Sequence, residues 1–327
     1  MLARIRQEYP DDFRLVYRHF PLTPIHDKAQ LAAEAAEAAG AQGKFWEMHD
    51  LLFTEHDRWV NLTPEAFRAL LNTYVQQIGL DPQRFSADLD SGKFAGRVQE
   101  AFVAATSIPL PGTPFLLYNG EPYQGPQSHW AFDTLIKLAR FTDRQYGAPP
   151  PDVIDPFRQY AATLNTGKGE VVIQLFAEQA PLTVNNFVFL AREGWFNDVT
   201  FHVVKPSAPS DCWKYQGPGD FIPFVQTGDP SGTGFGGPGY FIPDEINPDL
   251  KFDGPGWVGM ANSGPDTNGS QFFITLGAMP ELNGTHTLFG KVVSGLEVVA
   301  NLTRRDPCFN LEAPPGDAIQ SVTIEEK

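Results

Sequence analysis

Residues 259–274 read Gly-Met-Ala-Asn-Ser-Gly-Pro-Asp-Thr-Asn-Gly-Ser-Gln-Phe-Phe-Ile. Two short apolar runs, Trp257–Ala261 and Gln271–Leu276, flank a stretch built from Asn, Ser, Gly, Pro, Asp and Thr, a pattern that predicts strand, loop, strand. The loop residues supply backbone donors and acceptors. Met260, Gln271 and Phe273 add an apolar surface with one amide, which suits the holding of an extended peptide.

Outward from this stretch, residues 158–327 read as mainly β. They hold most of the chain's 30 glycines, as a core of short strands and many turns requires. Tyr160–Asn165 and Glu170–Phe176 flank the turn Thr166-Gly167-Lys168-Gly169 and predict a hairpin. Pro181 opens a helix whose buried side is Val184, Phe187, Val188, Leu190 and Ala191. Strands are expected near 199–204, 224–227, 257–261, 272–276, 288–293 and 321–325, with a short helix over 296–302.

Five ordered segments carry a resemblance to a known family: "APLTVNNFVFLAREG" from Ala180, "TFH" from Thr200, "QTGDPSGTGFGGPGY" from Gln226, "MANSGPDTNGSQFFIT" from Met260 and "LNGTHTLFGKV" from Leu282. Over about Ala161 to Glu325 the chain resembles the cyclophilins, peptidyl-prolyl cis-trans isomerases. The resemblance implies a barrel of about eight strands capped by two helices. It implies that Phe273 floors a proline pocket, that Gln226 and Gln271 are polar contacts, and that Met260, Ala261 and Asn262 meet the substrate. Phe224, Leu282 and His286 would complete the rim, with Gln226, Phe273 and His286 in the catalytic set. For Phe273 and Leu282 plain barrel core is the competing reading, and for His286 an ordinary turn histidine.

The implied chemistry needs no cofactor and no metal. Rotation about an X-Pro amide faces a barrier of roughly 18–20 kcal/mol, because nitrogen donates its lone pair into the carbonyl. Lowering it takes stabilisation of a twisted amide whose nitrogen accepts a hydrogen bond. Here the sequence departs from the family. The arginine expected after Phe201-His202 is Val203, and the aromatic expected just before Leu282 is Glu281. Pro223 falls at a further aromatic position, with Phe224 beside it. Lys205 shares the strand face of Val203 but lies about 6–7 Å along, too far to replace the guanidinium without a bulge.

An insertion, Pro206–Ile222, adjoins these changes and contains Cys212; the other cysteine is Cys308. The family places these two loops at one end of the barrel, so the resemblance makes Cys212–Cys308 a candidate disulfide, with two free thiols as the alternative. A bridge would point to an oxidising compartment.

Between the halves, Gly147-Ala148-Pro149-Pro150-Pro151 favours polyproline II, so 145–157 is expected to be a semi-rigid linker. Residues 1–144 form the expected first domain and read mostly as helix. Phe13–Phe20 alternates like a strand and ends at Pro21. His26–Ala41 and Lys44–Phe53 follow as helices. Thr63-Pro64-Glu65 starts another, with Phe67, Leu70, Leu71, Tyr74, Val75 and Ile78 at helical spacing. Two helices are expected within 82–107, then a strand at Phe115–Tyr118, a turn at Asn119-Gly120, and a closing helix over 129–140.

"KFWEMHDLLF" from Lys44 and "GTPFLLYNGE" from Gly112 resemble the DsbA-like branch of the thioredoxin fold. That family has a cis proline at the position of Pro114, and a Cys-x-x-Cys at the start of its first helix. This chain has no cysteine before Cys212, so the dithiol chemistry of the family is absent from these residues. Leu2–Tyr9 resembles the tail of that first helix, and the chain is expected to begin inside the fold, lacking the first strand. The expected architecture is therefore two domains: an α/β thioredoxin-like domain with a helical insertion, and an eight-stranded barrel.

Composition bounds the partners. The net charge is −15, with most of the acidic excess after Pro150, which argues against nucleic acid and anionic membrane surfaces. No apolar run approaches the roughly 18 residues of a membrane helix, and no signal-peptide pattern opens the chain. The expected partners are proline-containing segments of client proteins, with a cyclosporin-type ligand also implied. An isomerase and a non-catalytic proline-peptide-binding chaperone module are the two functional readings. The DsbA-like half points to an extracytoplasmic setting.

Overall fold

The computed structural model describes residues 1–108, 111–205, 224–306 and 316–327. Their contacts form two compact units, Arg14–Gly125 and a second made of Met1–Phe13 with Pro126–Lys327. Cys212 and Cys308 lie outside the described residues.

The chain opens with α1 (Leu2–Glu8), part of the second unit. The helical unit then runs through α2 (Ala29–Gly40), α3 (Phe45–Thr54), α4 (His56–Trp59), α5 (Pro64–Gln77), α6 (Pro82–Asp90) and α7 (Ala95–Thr106). Thr63 caps α5 by accepting from Ala66 N at 3.3 Å, and Asp81 caps α6 by accepting from Gln83 N and Arg84 N at 2.9 and 3.1 Å. The alanines Ala35, Ala38 and Ala39 of α2 let Met48 of α3 and Phe67, Tyr74 and Phe85 pack closely around that helix. A hairpin follows, β1 (Leu117–Tyr118) and β2 (Glu121–Pro122), turned by Asn119 and Gly120 at φ 51° and 94°. The Thr113–Pro114 bond is cis. Phe13–Phe20 corrects the sequence reading: it pairs with no strand among the described residues, because alternation makes a ladder only where a partner edge exists.

The second unit continues with α8 (His129–Phe141), β3 (Tyr160–Thr166), β4 (Gly169–Leu175), α9 (Pro181–Arg192), β5 (Val199–Thr200), β6 (Val203–Val204), β7 (Phe224–Thr227), β8 (Trp257–Met260), β9 (Phe272–Thr275), β10 (Leu288–Ser294), α10 (Leu296–Ala300) and β11 (Ala318–Glu326). Among the described residues the sheet order is β5-β11-β3-β4-β10-β8-β9-β7-β6, antiparallel at every pairing. Its two outermost strands, β5 and β6, are separated only by Phe201 and His202. The sheet therefore has to curl until its ends meet, and Val199–Val204 acts as one broken strand closing the barrel. Counted this way, the strands match the expected eight.

Inside the barrel, Ile173, Val225, Val258, Phe272, Ile274 and Phe289 meet the buried side of α9. Phe187 of α9 lies 5.0 Å from Phe196 and 5.4 Å from Phe272, ring centre to ring centre. The N-terminus of α9 is held by Glu245, which accepts from Leu182 N at 3.0 Å and from Thr183 N and Thr183 Oγ1 at 2.7 Å.

By contact, α1 and α8 group with the barrel. Tyr9 donates to Asp133, Arg140 pairs with Asp12, and Phe141 packs on Trp195 with ring centres 5.2 Å apart. Residues 145–157, read as a semi-rigid linker, make hydrogen bonds within the second unit. Tyr146 N donates to Pro238 O at 2.8 Å, Gln145 Nε2 to Gly237 O at 3.0 Å, and Asn185 of α9 clasps Pro151 O and Val153 N at 3.0 and 2.7 Å. Prolines keep the segment extended, and its unpaired backbone groups then find partners along the barrel.

Two features set the stability of this unit. Gly228, after β7, has φ 94°, and a Cβ there would lie 2.2 Å from Ser270 O and 2.9 Å from the Gln271 Cα. The close approach is used: Ser270 Oγ and Trp195 Nε1 both donate to Gly228 O, at 2.6 and 3.3 Å. Gly228→Ala is expected to lower unfolding free energy by about 2–4 kcal/mol, read from urea melts.

The second is His202, in the break between β5 and β6, which is 3% exposed and whose ring nitrogens lack a well-aligned hydrogen bond. Burial pushes its pKa down to about 4; Asp229 opposes this and Arg305 adds to it. Between the ordinary imidazole value of 6.5 and about 4, the unfolded chain binds the proton and the folded one does not. Stability contributed by the neutral ring is complete above that window and falls as pH drops through it, by on the order of 3 kcal/mol. Urea melts across this pH range should show the decline in the wild type and a flatter profile in His202→Gln.

Candidate functional site

Strand register assembles the site. Val203 of β6 pairs with Gln226 of β7, Gln226 with Phe273 of β9, Phe273 with Gly259 of β8, and Gly259 with Leu288 of β10. Paired residues share a sheet face, so this row points to the outside of the barrel, away from the core that holds Val204, Val225, Phe272 and Phe289. Val203, Phe224, Phe252, Phe273, Met279 and Leu288 form a separate apolar cluster there, with Ala261 and Leu282 packed against it.

Phe273 is its floor, 4% exposed. Ring centres of Phe252, Phe224 and His286 stand 5.4, 6.1 and 5.9 Å from it. A Cβ on Gly259 would come within 2.6 Å of the Phe273 ring, so the first glycine of the 259–274 stretch makes room for the floor. Gln226, Ala261, Asn262, Gln271, Leu282 and His286 are half-buried around it. The surface is thus apolar at the base and polar at the rim, and among the described residues it contains no paired acid and base.

Each polar group has a defined orientation. Gln226 Nε2 donates to Gln271 Oε1 at 2.9 Å, and Gln271 Nε2 donates to Gly234 O and Gly236 O at 3.0 and 2.9 Å. Those carbonyls belong to a loop wound on the buried carboxylate of Asp229. Asp229 accepts from the backbone nitrogens of Ser231, Thr233, Gly234 and Gly236 at 2.8, 3.1, 2.6 and 3.1 Å, and from Ser231 Oγ at 2.6 Å. Asn262 Nδ2 donates to Thr285 O at 3.0 Å, and Thr285 Oγ1 stands 2.9 Å from His286 Nδ1. Burial lowers the His286 pKa and Asp244 partly opposes it.

The structure brings together Val203, Phe224, Gln226, Ala261, Asn262, Gln271, Phe273, Leu282 and His286. Met260 is a correction. It is 1% exposed and sits in the barrel interior beside Phe272, because strand alternation that turns Gly259 and Ala261 outward turns Met260 inward. Lys205 is engaged elsewhere: its Nζ donates to Ala300 O. Phe252, Met279 and Asp229 were not singled out from sequence. For Asp229 the signal was present in the run of Gly, Ser and Thr that follows it; for Phe252 and Met279 no local pattern marks the contact.

Parts of the chain are similar to known proteins. Residues 161–324 match the family model described as cyclophilin type peptidyl-prolyl cis-trans isomerase/CLD, and residues 1–138 match a thioredoxin model. The mouse peptidyl-prolyl cis-trans isomerase-like 1 is 44% identical over 156 residues, 46% of this chain and 82% of the mouse protein. A peptidyl-prolyl cis-trans isomerase of Schizosaccharomyces pombe is 47% identical over 138 residues, 41% of this chain and 79% of its own. A crystal structure of a cyclophilin-type isomerase from Cryptosporidium parvum is 31% identical, covering 52% of this chain and 99% of that one, with a TM-score of 0.41. The matched residues 161–324 and the identity to these relatives lead to one conclusion: this chain belongs to the cyclophilin-type peptidyl-prolyl cis-trans isomerase family, with a thioredoxin-like domain in its N-terminal half.

Proposed function

We propose that residues 158–327 isomerise X-Pro bonds of protein clients at a reduced rate, because the surface that holds the proline is intact while the donor to its nitrogen is missing. The observation that carries this reading is the cross-strand row in which Val203 stands beside Gln226 and Phe273. An apolar floor and fixed amides hold a proline ring and its flanking peptide. They discriminate little between the planar and the twisted amide, and only interactions that strengthen in the twisted form lower the barrier. A donor facing the prolyl nitrogen does that, and the valine side chain has none.

The second reading is a non-catalytic module that holds proline-containing segments, with the N-terminal half as a redox-inactive peptide-binding partner of DsbA-like type. Val203 favours it. Under both readings the partners are proline-containing client segments, and a cyclosporin-type ligand would compete for the same surface. An extracytoplasmic setting, where newly exported clients fold, is part of the proposal.

Exchange NMR on a short Ala-Pro peptide separates the two. The isomerase reading expects wild-type exchange above the uncatalysed rate, which has a time constant of tens to hundreds of seconds. It expects a rise of about tenfold or more in Val203→Arg and loss in Phe273→Ala, which removes the floor. Wild-type exchange at the uncatalysed rate, with peptide binding still detectable by chemical-shift changes and lost in Phe273→Ala, would establish the holding module instead.

A further inference from the structure

The helical unit contains a cavity of about 490 Å³ that the isomerase reading does not use. It lies within the range typical of small-molecule sites, roughly 300–1,000 Å³. Its volume comes from α2, where Ala29, Ala32, Ala33 and Ala36 present methyl groups to it. Opposite them stand large apolar groups, among them Phe20, Ile25, Leu52, Phe53 and Trp59. Ile25 and Phe53 are 71% and 63% exposed, so the apolar lining continues to the solvent at its mouth.

The lining also carries polar groups. Four of the seven histidines, His19, His26, His49 and His56, line it together with Lys28 and one carboxylate, Asp27. Glu37 lies behind His19, at 3.1 Å from its Nε2, and is itself paired with Arg97 at 3.2 Å. Lys28 is the informative group. Its side chain is 7% exposed, while its ion-pair partner Asp27, at 2.5 Å, is 62% exposed. An ammonium has three donors, and one is occupied by Asp27. A buried charge with donors to spare at the edge of an apolar cavity favours an anionic acceptor, because water cannot fully solvate it there.

We propose that this cavity binds a small carboxylic acid with an aryl or alkyl tail, its carboxylate on Lys28 and its tail against Phe20, Ile25 and Trp59. The site lies in the helical unit, apart from the proline-holding surface. Its occupant is defined by two requirements: a single negative charge and an apolar body of a size that the alanine face of α2 leaves room for.

Calorimetric titration of the full chain with phenylbutyrate and with its neutral amide tests this. The acid is expected to bind with one-to-one stoichiometry and about tenfold or more tighter than the amide. Lys28→Met should reduce the acid to the affinity of the amide, Lys28→Arg should keep the preference, and Ala32→Phe, which fills the cavity, should remove both. Phe273→Ala should leave both unchanged. Equal affinity of acid and amide for the wild type, no heat with the acid at millimolar concentration, or acid binding that survives Ala32→Phe would each overturn the proposal. The first comparison needs no variant and decides the matter even if Lys28→Met fails to fold.

Discussion

The outward apolar site around Phe273 depends on one buried carboxylate that never reaches it. Asp229 is fully buried, and its charge is met by backbone nitrogens and hydroxyls of the residues that follow it. Burying a carboxylate is unfavourable unless donors surround it, so loop 229–236 has essentially one conformation that satisfies it. Gly236 is part of this constraint, since a Cβ there would sit 2.1 Å from Asp229 Oδ1. In that conformation the carbonyls of Gly234 and Gly236 face Gln271, which turns its oxygen to Gln226. The amide at the rim is thus oriented through two layers of hydrogen bonds, and the apolar floor beneath it is set by strand register alone.

Much of this was legible in the sequence because the controlling interactions are local. Thr63-Pro64 starts a helix where capping chemistry says it should. Asn119-Gly120 turns a hairpin because both residues take positive φ. The residues of the 259–274 stretch fall on adjacent strands, so their order in the chain nearly fixes their order in space. Met260 shows the limit of such reading. Its neighbours on both sides face outward, and a one-residue difference in a strand is the difference between surface and core.

What was not legible depends on partners distant in sequence. Phe13–Phe20 has the alternation of a strand, but a strand is a property of a pair, and the segment has no pairing strand among the described residues. The proline-rich segment 145–157 reads as a spacer because composition reports stiffness and says nothing of the groups that will meet it; Asn185, Pro238 and Gly237 do. Phe252 joins the pocket for the same reason. Its contact with Phe273 crosses a loop whose path no periodicity records. The cavity of the helical unit was equally hidden, since an alanine-rich helix reads as good helix former before it reads as a vacancy.

The broken strand Val199–Val204 has a consequence for how the protein is made. Its first half pairs with β11 and its second with β7, while β11 also pairs with β3. Residues 160–166 pair with β4 on one edge, but their other edge, and residues 199–200, wait for residues 318–326. During synthesis from the N-terminus, α9 and the β3–β4 hairpin emerge with apolar faces exposed and no closed sheet to receive them. The helical unit is one continuous stretch, residues 14–125, and meets no such delay. On the ribosome the chain passes through a state in which a folded helical body precedes an open, edge-exposed sheet, and the barrel can seal only when its last strand has left the exit tunnel.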